Sequence, residues 1–281
     1  MTNRKHVIFT LSDERCGDFL IQHWMPSLLD NVDLTDIDVI VLDYGLLDRH
    51  RRAIQSAGLM CDQSILDGNI GTLSLRDADR ILAQSSYDQA AVIDGGDIIF
   101  QADISHLFET DKESFRAVCE DIDATMHRFI MSSSDFSTEE WNEMMGFLKG
   151  KPLINGSNVF GPANKYRELW SAYREFSSGI QEYASEQLFT NYYLHRYGFK
   201  SLPAKYNFVL ASTKDTYCIK NGVFYDVEGD IIPVVHNVGG KEANRYVKNF
   251  GYGKEFNKKK ILTPIFRHSL GFVAKCLNRF S

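Results

Sequence analysis

Two carboxylates close a hydrophobic run in Ala91-Val92-Ile93-Asp94-Gly95-Gly96-Asp97, and only glycines separate them. Carboxylate oxygens are hard ligands suited to Mg2+ or Mn2+. A carboxylate at the C-terminal end of a strand faces the crevice where open α/β sheets bind ligands. Gly95 and Gly96 have no side chain to obstruct a bulky ligand or an ion. The same residues also suit a tight turn in which Asp94 and Asp97 hydrogen-bond only to backbone. Hydroxyls and a carboxylate recur at the end of the first apolar run, in Thr10-Leu11-Ser12-Asp13, where Asp13 is equally suited to cap the next helix.

The elements that position these groups alternate. His6 to Thr10 and Ile37 to Leu42 read as strands, with a helix at Phe19 to Leu29 between them. A helix from Leu47 to Ala57 ends at Gly58. A short strand near Gln63 to Leu66, a helix around Leu75 to Gln84 and the strand Ala90 to Ile93 follow. This βαβαβ order argues for a doubly wound, mainly parallel sheet. The second half is mixed. Ser137 and Glu140 have capping-box spacing before a helix to Lys149, Leu153 to Phe160 is strand-like, and helices span Lys165 to Phe176 and Glu182 to Tyr197. A hairpin is expected at Tyr217 to Tyr225 around Asn221-Gly222, then a strand at Ile231 to Val235. Residues 1–250 read as one α/β domain and 251–281 as a C-terminal appendage.

Length and composition suit an enzyme-sized globular chain of 281 residues, with 44% hydrophobic and 24% charged residues. No apolar run is long enough to span a membrane, and the N-terminus has no secretory pattern. Five dispersed cysteines without a CxxC pair read as reduced thiols in a cytosol. The net charge of −6 argues against a nucleic-acid partner. The charge is unevenly spread, however: from Lys241 onward ten basic residues face two acidic ones. Within that tail Leu262, Ile265, Phe266, Leu270, Val273, Leu277 and Phe280 recur at helical spacing among Lys258 to Lys260, Arg267, Lys275 and Arg279. The pattern describes a basic amphipathic helix, suited either to an anionic membrane surface or to packing on the domain.

Ile93-Asp94-Gly95-Gly96-Asp97-Ile98-Ile99, followed by Asp103 to Phe108, resembles the Asp-x-Asp segment of GT-A glycosyltransferases, most closely those of family 8. Three further blocks agree in order. Asn155-Gly156-Ser157-Asn158 is similar to the family's Asn-Ala-Gly segment. Glu186-Gln187-Leu188 resembles its Asp-Gln-Asp helix start, with Lys205-Tyr206-Asn207 matching the Lys-Tyr-Asn that follows. His236-Asn237-Val238-Gly239-Gly240-Lys241 resembles its His-x-x-Gly-x-x-Lys segment. The resemblance covers about residues 6–242. It implies a GT-A-like α/β fold with a Rossmann-like sheet, and transfer of a sugar from a nucleoside-diphosphate sugar to a hydroxyl of a glycan, glycolipid or protein.

The family's chemistry assigns roles residue by residue. Charge grows on the diphosphate as the glycosidic bond breaks and must be neutralised. Asp94, Asp97 and His236 are the expected ligands of a Mn2+ or Mg2+ ion, with Lys241 as a second positive charge and Gly239 as a close phosphate approach. Gln187 and Glu186 are expected beside the transferred sugar. Thr10, Ser12, Asp13, Asp43, Arg76, Arg80, Asn155 and Gly156 are expected to contact the donor. The resemblance also implies retention of anomeric configuration; with the cytosolic reading of the cysteines and the basic amphipathic tail, the expectation is a bacterial-type enzyme, cytoplasmic and peripheral at the inner membrane face. The chain departs from the family at two points: two residues separate its acids instead of one, and Leu188 replaces the second acid of Asp-Gln-Asp. Either Asp94 reaches the ion from a shifted turn or one carboxylate alone coordinates. Those departures keep a catalytically silent nucleotide- or glycan-binding protein as one alternative. A sugar-phosphate nucleotidyltransferase is another, although Thr10 to Asp18 lacks the glycine-rich basic loop such an enzyme carries.

Overall fold

The structure, a computed structural model, describes residues 4–129, 134–238 and 245–260. The first apolar runs form strands β1 (His6–Ser12) and β2 (Ile37–Asp43), both buried along their whole length. Such burial on two faces is what a parallel strand covered by helices on both sides requires. Strands β3 (Met60–Gln63) and β4 (Gln89–Ile93) continue the parallel set, which runs β3-β2-β1-β4. Next in the chain come β5 (Ile98–Phe100), β6 (Phe115–Asp123), β7 (Pro152–Pro162) and β8 (Phe199–Leu202). β7 joins the sheet antiparallel to β4, β6 pairs antiparallel with β7, and β8 closes the seven-stranded sheet parallel to β6. A smaller sheet combines β5 with β9 (Phe208–Val209) and a strand at Val234–His236.

Side chains alternate along the strands and feed two cores. Val7, Phe9, Ile40 and Leu42 face helices α4 (Ile70–Leu82), α6 (Ala163–Phe176) and α7 (Ser185–Tyr197), and Ile8, Val39, Val41 and Ile93 face Leu20, Trp24 and Leu28 on the other side. Those last three belong to a helical stretch longer than its apolar face suggests, made of α1 (Glu14–Phe19), a π turn at Leu20–Trp24 and α2 (Met25–Asn31). The π turn lies just ahead of Pro26, whose ring would clash with the Gln22 carbonyl in a regular helix. The capping box at Ser137 is formed in both directions and opens α5 (Thr138–Leu148).

Two expectations shift. The third strand begins at Met60, not near Gln63, because Gly58, at φ 76° after α3 (Asp48–Ser56), turns the chain directly back onto β2. Ile65 and Leu66, whose apolar character suggested a strand, are exposed instead. The hairpin of β10 (Cys218–Lys220) and β11 (Val223–Tyr225) does turn at Asn221-Gly222, both at positive φ.

Residues 251–258, expected to open the appendage, pack on the domain. The Tyr252 hydroxyl donates to Asp30 Oδ2, 3.0 Å away, and Asn257 Nδ2 donates to the Gly222 carbonyl at 2.8 Å. The amphipathic stretch 261–281 lies outside the described residues. Among the described residues no helix is long and apolar enough to cross a membrane.

Candidate active site

Asp94 follows β4 directly, and its backbone N–H donates to the Ser157 carbonyl at 2.9 Å, which continues the β4–β7 pairing beyond Ile93 and Asn158. The chain then turns through Gly95 and Gly96 to Asp97 at the start of β5. Both glycines are needed for packing. A Cβ on Gly95 would stand 2.7 Å from Thr10 Oγ1 and 3.0 Å from the Leu11 carbonyl, and one on Gly96 would stand 2.9 Å from Cys16 Sγ. His236 arrives on the central strand of the small sheet, where it pairs with Ile98, one residue past Asp97. The Asn237 N–H donates to the Asp97 carbonyl at 2.9 Å and locks that register.

Ligand atoms of Asp94, Asp97 and His236 consequently lie within 4.8 Å of one another. The two-residue spacing of the acids thus brings both carboxylates to the same point. His236 Nε2 lies 3.2 Å from Asp97 Oδ1, a buried oxygen with no hydrogen-bond partner. Burial opposes ionisation of Asp97, but His236 and then Arg245 outweigh it and hold its carboxyl below the usual range. Burial, and after it the Asp97 charge, push Asp94 upward. Burial works against a charged His236, while Asp97, Asp94 and Glu120 together keep its pKa above the ordinary value. Two carboxylates and an imidazole whose ligand atoms converge within 4.8 Å fit a divalent cation.

The two acids line a cleft of about 530 Å³ that also contains Glu186, Gln187, Gly156 and Arg245, with His236 buried behind them. Glu186 and Gln187 stand in the first turn of α7. The loop before that helix is organised by buried Asp135, which accepts from the N–H groups of Gln181 (3.1 Å) and Glu182 (2.9 Å) and from the Ser185 hydroxyl (2.8 Å). The helix itself is tied to β7 by Asn191, whose Oδ1 accepts from the Ile154 N–H at 2.6 Å. Glu186 lies over the N-terminus of α4, where a Cβ on Gly71 would stand 2.5 Å from Glu186 Oε1. Burial, with Asp94 adding to it, pushes the Glu186 carboxyl up to about 7.

The other expected donor contacts are placed differently. Thr10 is fully buried behind Gly95, with its hydroxyl unpartnered, and Ser12 is buried beside it. Asp13 caps its helix through the N–H groups of Arg15 and Cys16 and pairs with the Arg15 guanidinium at 2.6 Å. Asp43 accepts from the N–H groups of Gly45 and Leu46 and pairs with Arg51 at 2.6 Å. Arg76 bridges Asp67 and Asp77, and Arg80 bridges Asp62 and Asp77, so neither points its guanidinium into the cleft lining. Asn155 is 5% exposed and bonded within the protein. Gly239 and Lys241 lie outside the described residues.

Two residues reach the site without a sequence signal for it. Arg245, in sequence one of the tail's charges, donates from Nη2 to the Gly96 carbonyl at 2.9 Å. Asn207, in sequence the end of the Lys-Tyr-Asn block, touches His236 with its side chain. A second, more open hollow of about 750 Å³ near Gly222 and Lys254 is lined by none of the expected site residues.

The parallel half-sheet and the antiparallel return through β7 and β6 give the fold of the GT-A glycosyltransferases. No family model and no curated protein matches the sequence. Among solved structures the chain is similar to the galactosyltransferase LgtC in complex with donor and acceptor sugar analogues, at 16% identity and a TM-score of 0.54, over 89% of this chain and 92% of that one. An active-site mutant of LgtC gives a TM-score of 0.52 at 16% identity, over 83% of this chain and 87% of that one. The apo bifunctional glycosyltransferase WbbM gives 0.55 at 13% identity, covering 87% of this chain. The chain spans about half of WbbM, 48% of its length.

Proposed function

We propose that the protein transfers a sugar from a nucleoside-diphosphate sugar to a hydroxyl of a glycan, glycolipid or protein, with retention at the anomeric centre. The observation that carries this reading is the convergence of Asp94 and Asp97 with buried His236, the two acids lining the same cleft as Glu186 and Gln187, on a GT-A fold. A Mn2+ or Mg2+ ion held by Asp94, Asp97 and His236 would supply positive charge against the diphosphate leaving group. Arg245, bonded to the turn between the two acids, adds a fixed positive charge on the same side. Gln187, in the first turn of α7, supports the transferred sugar. Glu186, whose carboxyl is pushed up to about 7, can donate to or accept from a sugar hydroxyl near neutral pH. Retention rests on the family resemblance, in which a phosphate oxygen of the leaving group takes the acceptor's proton on the same face.

A cytoplasmic enzyme held at the inner membrane face by its basic tail would suit a lipid-linked acceptor. The deciding test is a thermal-shift screen of nucleoside diphosphates and nucleotide sugars, with and without Mn2+, followed by product analysis. A donor that binds the folded state raises the melting temperature as its concentration exceeds its dissociation constant. A nucleotide- and Mn2+-dependent shift with a product of unchanged anomeric configuration is expected. The reading fails if no nucleotide shifts the transition, and retention fails on an inverted product.

A further inference from the structure

A buried chain of amides leads from β6 to the histidine behind the two acids. Asn155 Nδ2 donates to Glu120 Oε1 at 2.6 Å, and Asn155 Oδ1 accepts both from the Ser157 N–H at 3.0 Å and from Asn207 Nδ2 at 3.1 Å. Asn207 Oδ1 then lies 3.0 Å from His236 Nδ1. Asn207 and His236 are each only 1% exposed, so water does not compete for these contacts.

The polarity of the chain is fixed from outside. A backbone N–H can only donate and a carboxylate can only accept. Ser157 and Glu120 together therefore leave Asn155 a single amide orientation. With its oxygen facing Asn207, Asn207 must present Nδ2 to Asn155 and its own oxygen to His236. A carbonyl oxygen only accepts, so the ring proton sits on Nδ1. The lone pair of the neutral ring is then on Nε2, the nitrogen that faces Asp97 Oδ1 at 3.2 Å.

We infer that Glu120, Asn155 and Asn207 are positioning residues that hold His236 in its Nδ1–H tautomer and so present Nε2 as a ligand to a divalent cation. The inference rests on the cation-holding reading of Asp94, Asp97 and His236 proposed above. It also gives Asn155 a role other than donor contact, since both of its polar atoms are engaged inside the protein. Outer partners that orient a ligating histidine are typically worth about 10- to 100-fold in metal affinity.

The test combines imidazole ¹⁵N NMR of the full chain at alkaline pH, with His236 assigned by a His236→Gln difference spectrum, and Mn2+ titration followed by EPR. The wild type should show the proton on Nδ1. Asn207→Leu, which removes the acceptor, should show mixed tautomers and bind Mn2+ about 10- to 100-fold more weakly. Glu120→Gln keeps an acceptor for Asn155 and should retain both properties within a few-fold. A wild-type ring protonated on Nε2 overturns the inference, and that spectrum decides even if Asn207→Leu does not fold. A folded Asn207→Leu with the wild-type tautomer and Mn2+ affinity overturns it too. A wild type with Nδ1–H that binds no Mn2+ overturns the cation reading itself, an outcome the two readouts keep separate.

Discussion

Asp97 Oδ1 is buried and faces an imidazole nitrogen at 3.2 Å, and the proposed divalent cation would supply further positive charge at that point. Replacing Asp97 should remove the ion's anchor while leaving the apolar core intact. Asp97→Ala is expected to abolish the Mn2+-dependent part of the nucleotide thermal shift and to lower donor turnover at least about 100-fold, the scale of losing an electrostatic stabiliser of the leaving group. Turnover that survives both Asp97→Ala and chelation would show that no ion acts there. Glu186 makes a separate prediction. Its folded pKa of about 7 lies above the 4.5 of the free side chain, so the unfolded state loses its proton first as pH rises. Stability from this group is fully present below about pH 4.5 and is lost as pH climbs through 7. Glu186→Gln should therefore stabilise the protein by roughly 1 to 3 kcal/mol at pH 8 and by almost nothing at pH 4. Urea midpoints at the two pH values check this, and an equal gain at both would remove burial as the cause.

At the scale of elements, the site depends on close approaches that side chains would break. The Gly95 turn stands against the end of β1, where an added methyl would meet Thr10 Oγ1 and the Leu11 carbonyl. The backbone contact cannot yield cheaply, so Gly95→Ala should cost about 1 to 3 kcal/mol by overpacking. It should also displace Asp94 and Asp97 relative to His236. A denaturation midpoint unchanged from wild type would contradict the described turn. Asp135 organises the 177–185 loop that delivers Glu186 and Gln187 to the cleft, and three groups donate to its carboxylate. Asp135→Ala leaves buried donors without an acceptor, at about 1 to 3 kcal/mol for such a group. Its effect on turnover should exceed its effect on Mn2+ affinity, because the loop feeds α7 and not the acid turn. Equal losses in both would place the loop's influence elsewhere.

For the whole molecule, one cleft collects groups from the β4–β5 turn, β7, α7 and the segment at Arg245. The basic stretch beyond Lys260 is the candidate for attaching that body to an anionic surface. Residues up to 258 belong to the domain through Tyr252 and Asn257, so the informative truncation falls after Lys260. The full chain should float with anionic liposomes at low salt, and the truncated chain should not. Each basic residue near such a surface contributes about 1 kcal/mol, so added salt should release the full chain. Equal flotation of both chains would move the attachment to the domain.

The alternation of buried strands and amphipathic helices, the turn at Asn221-Gly222 and the cap at Ser137 were legible because each depends on neighbours a few residues away. The acids after β4 were legible for the same reason, since a carboxylate pair behind an apolar strand keeps its place at the strand's end. Sequence spacing alone left open whether both carboxylates meet one ion. It is the pairing of β5 with Val234–His236, joining residues about 140 positions apart, that sets His236 beside Asp97. Neighbours within about twenty positions engage Asp43, Arg76 and Arg80, whereas the same long-range placement engages Asn155 inside the protein and brings Arg245 and Asn207 to the site. Local periodicity determines which elements form, whereas the ligands of a buried cluster are chosen by strand register and by what must be satisfied once water is excluded, and only the tertiary structure decides those.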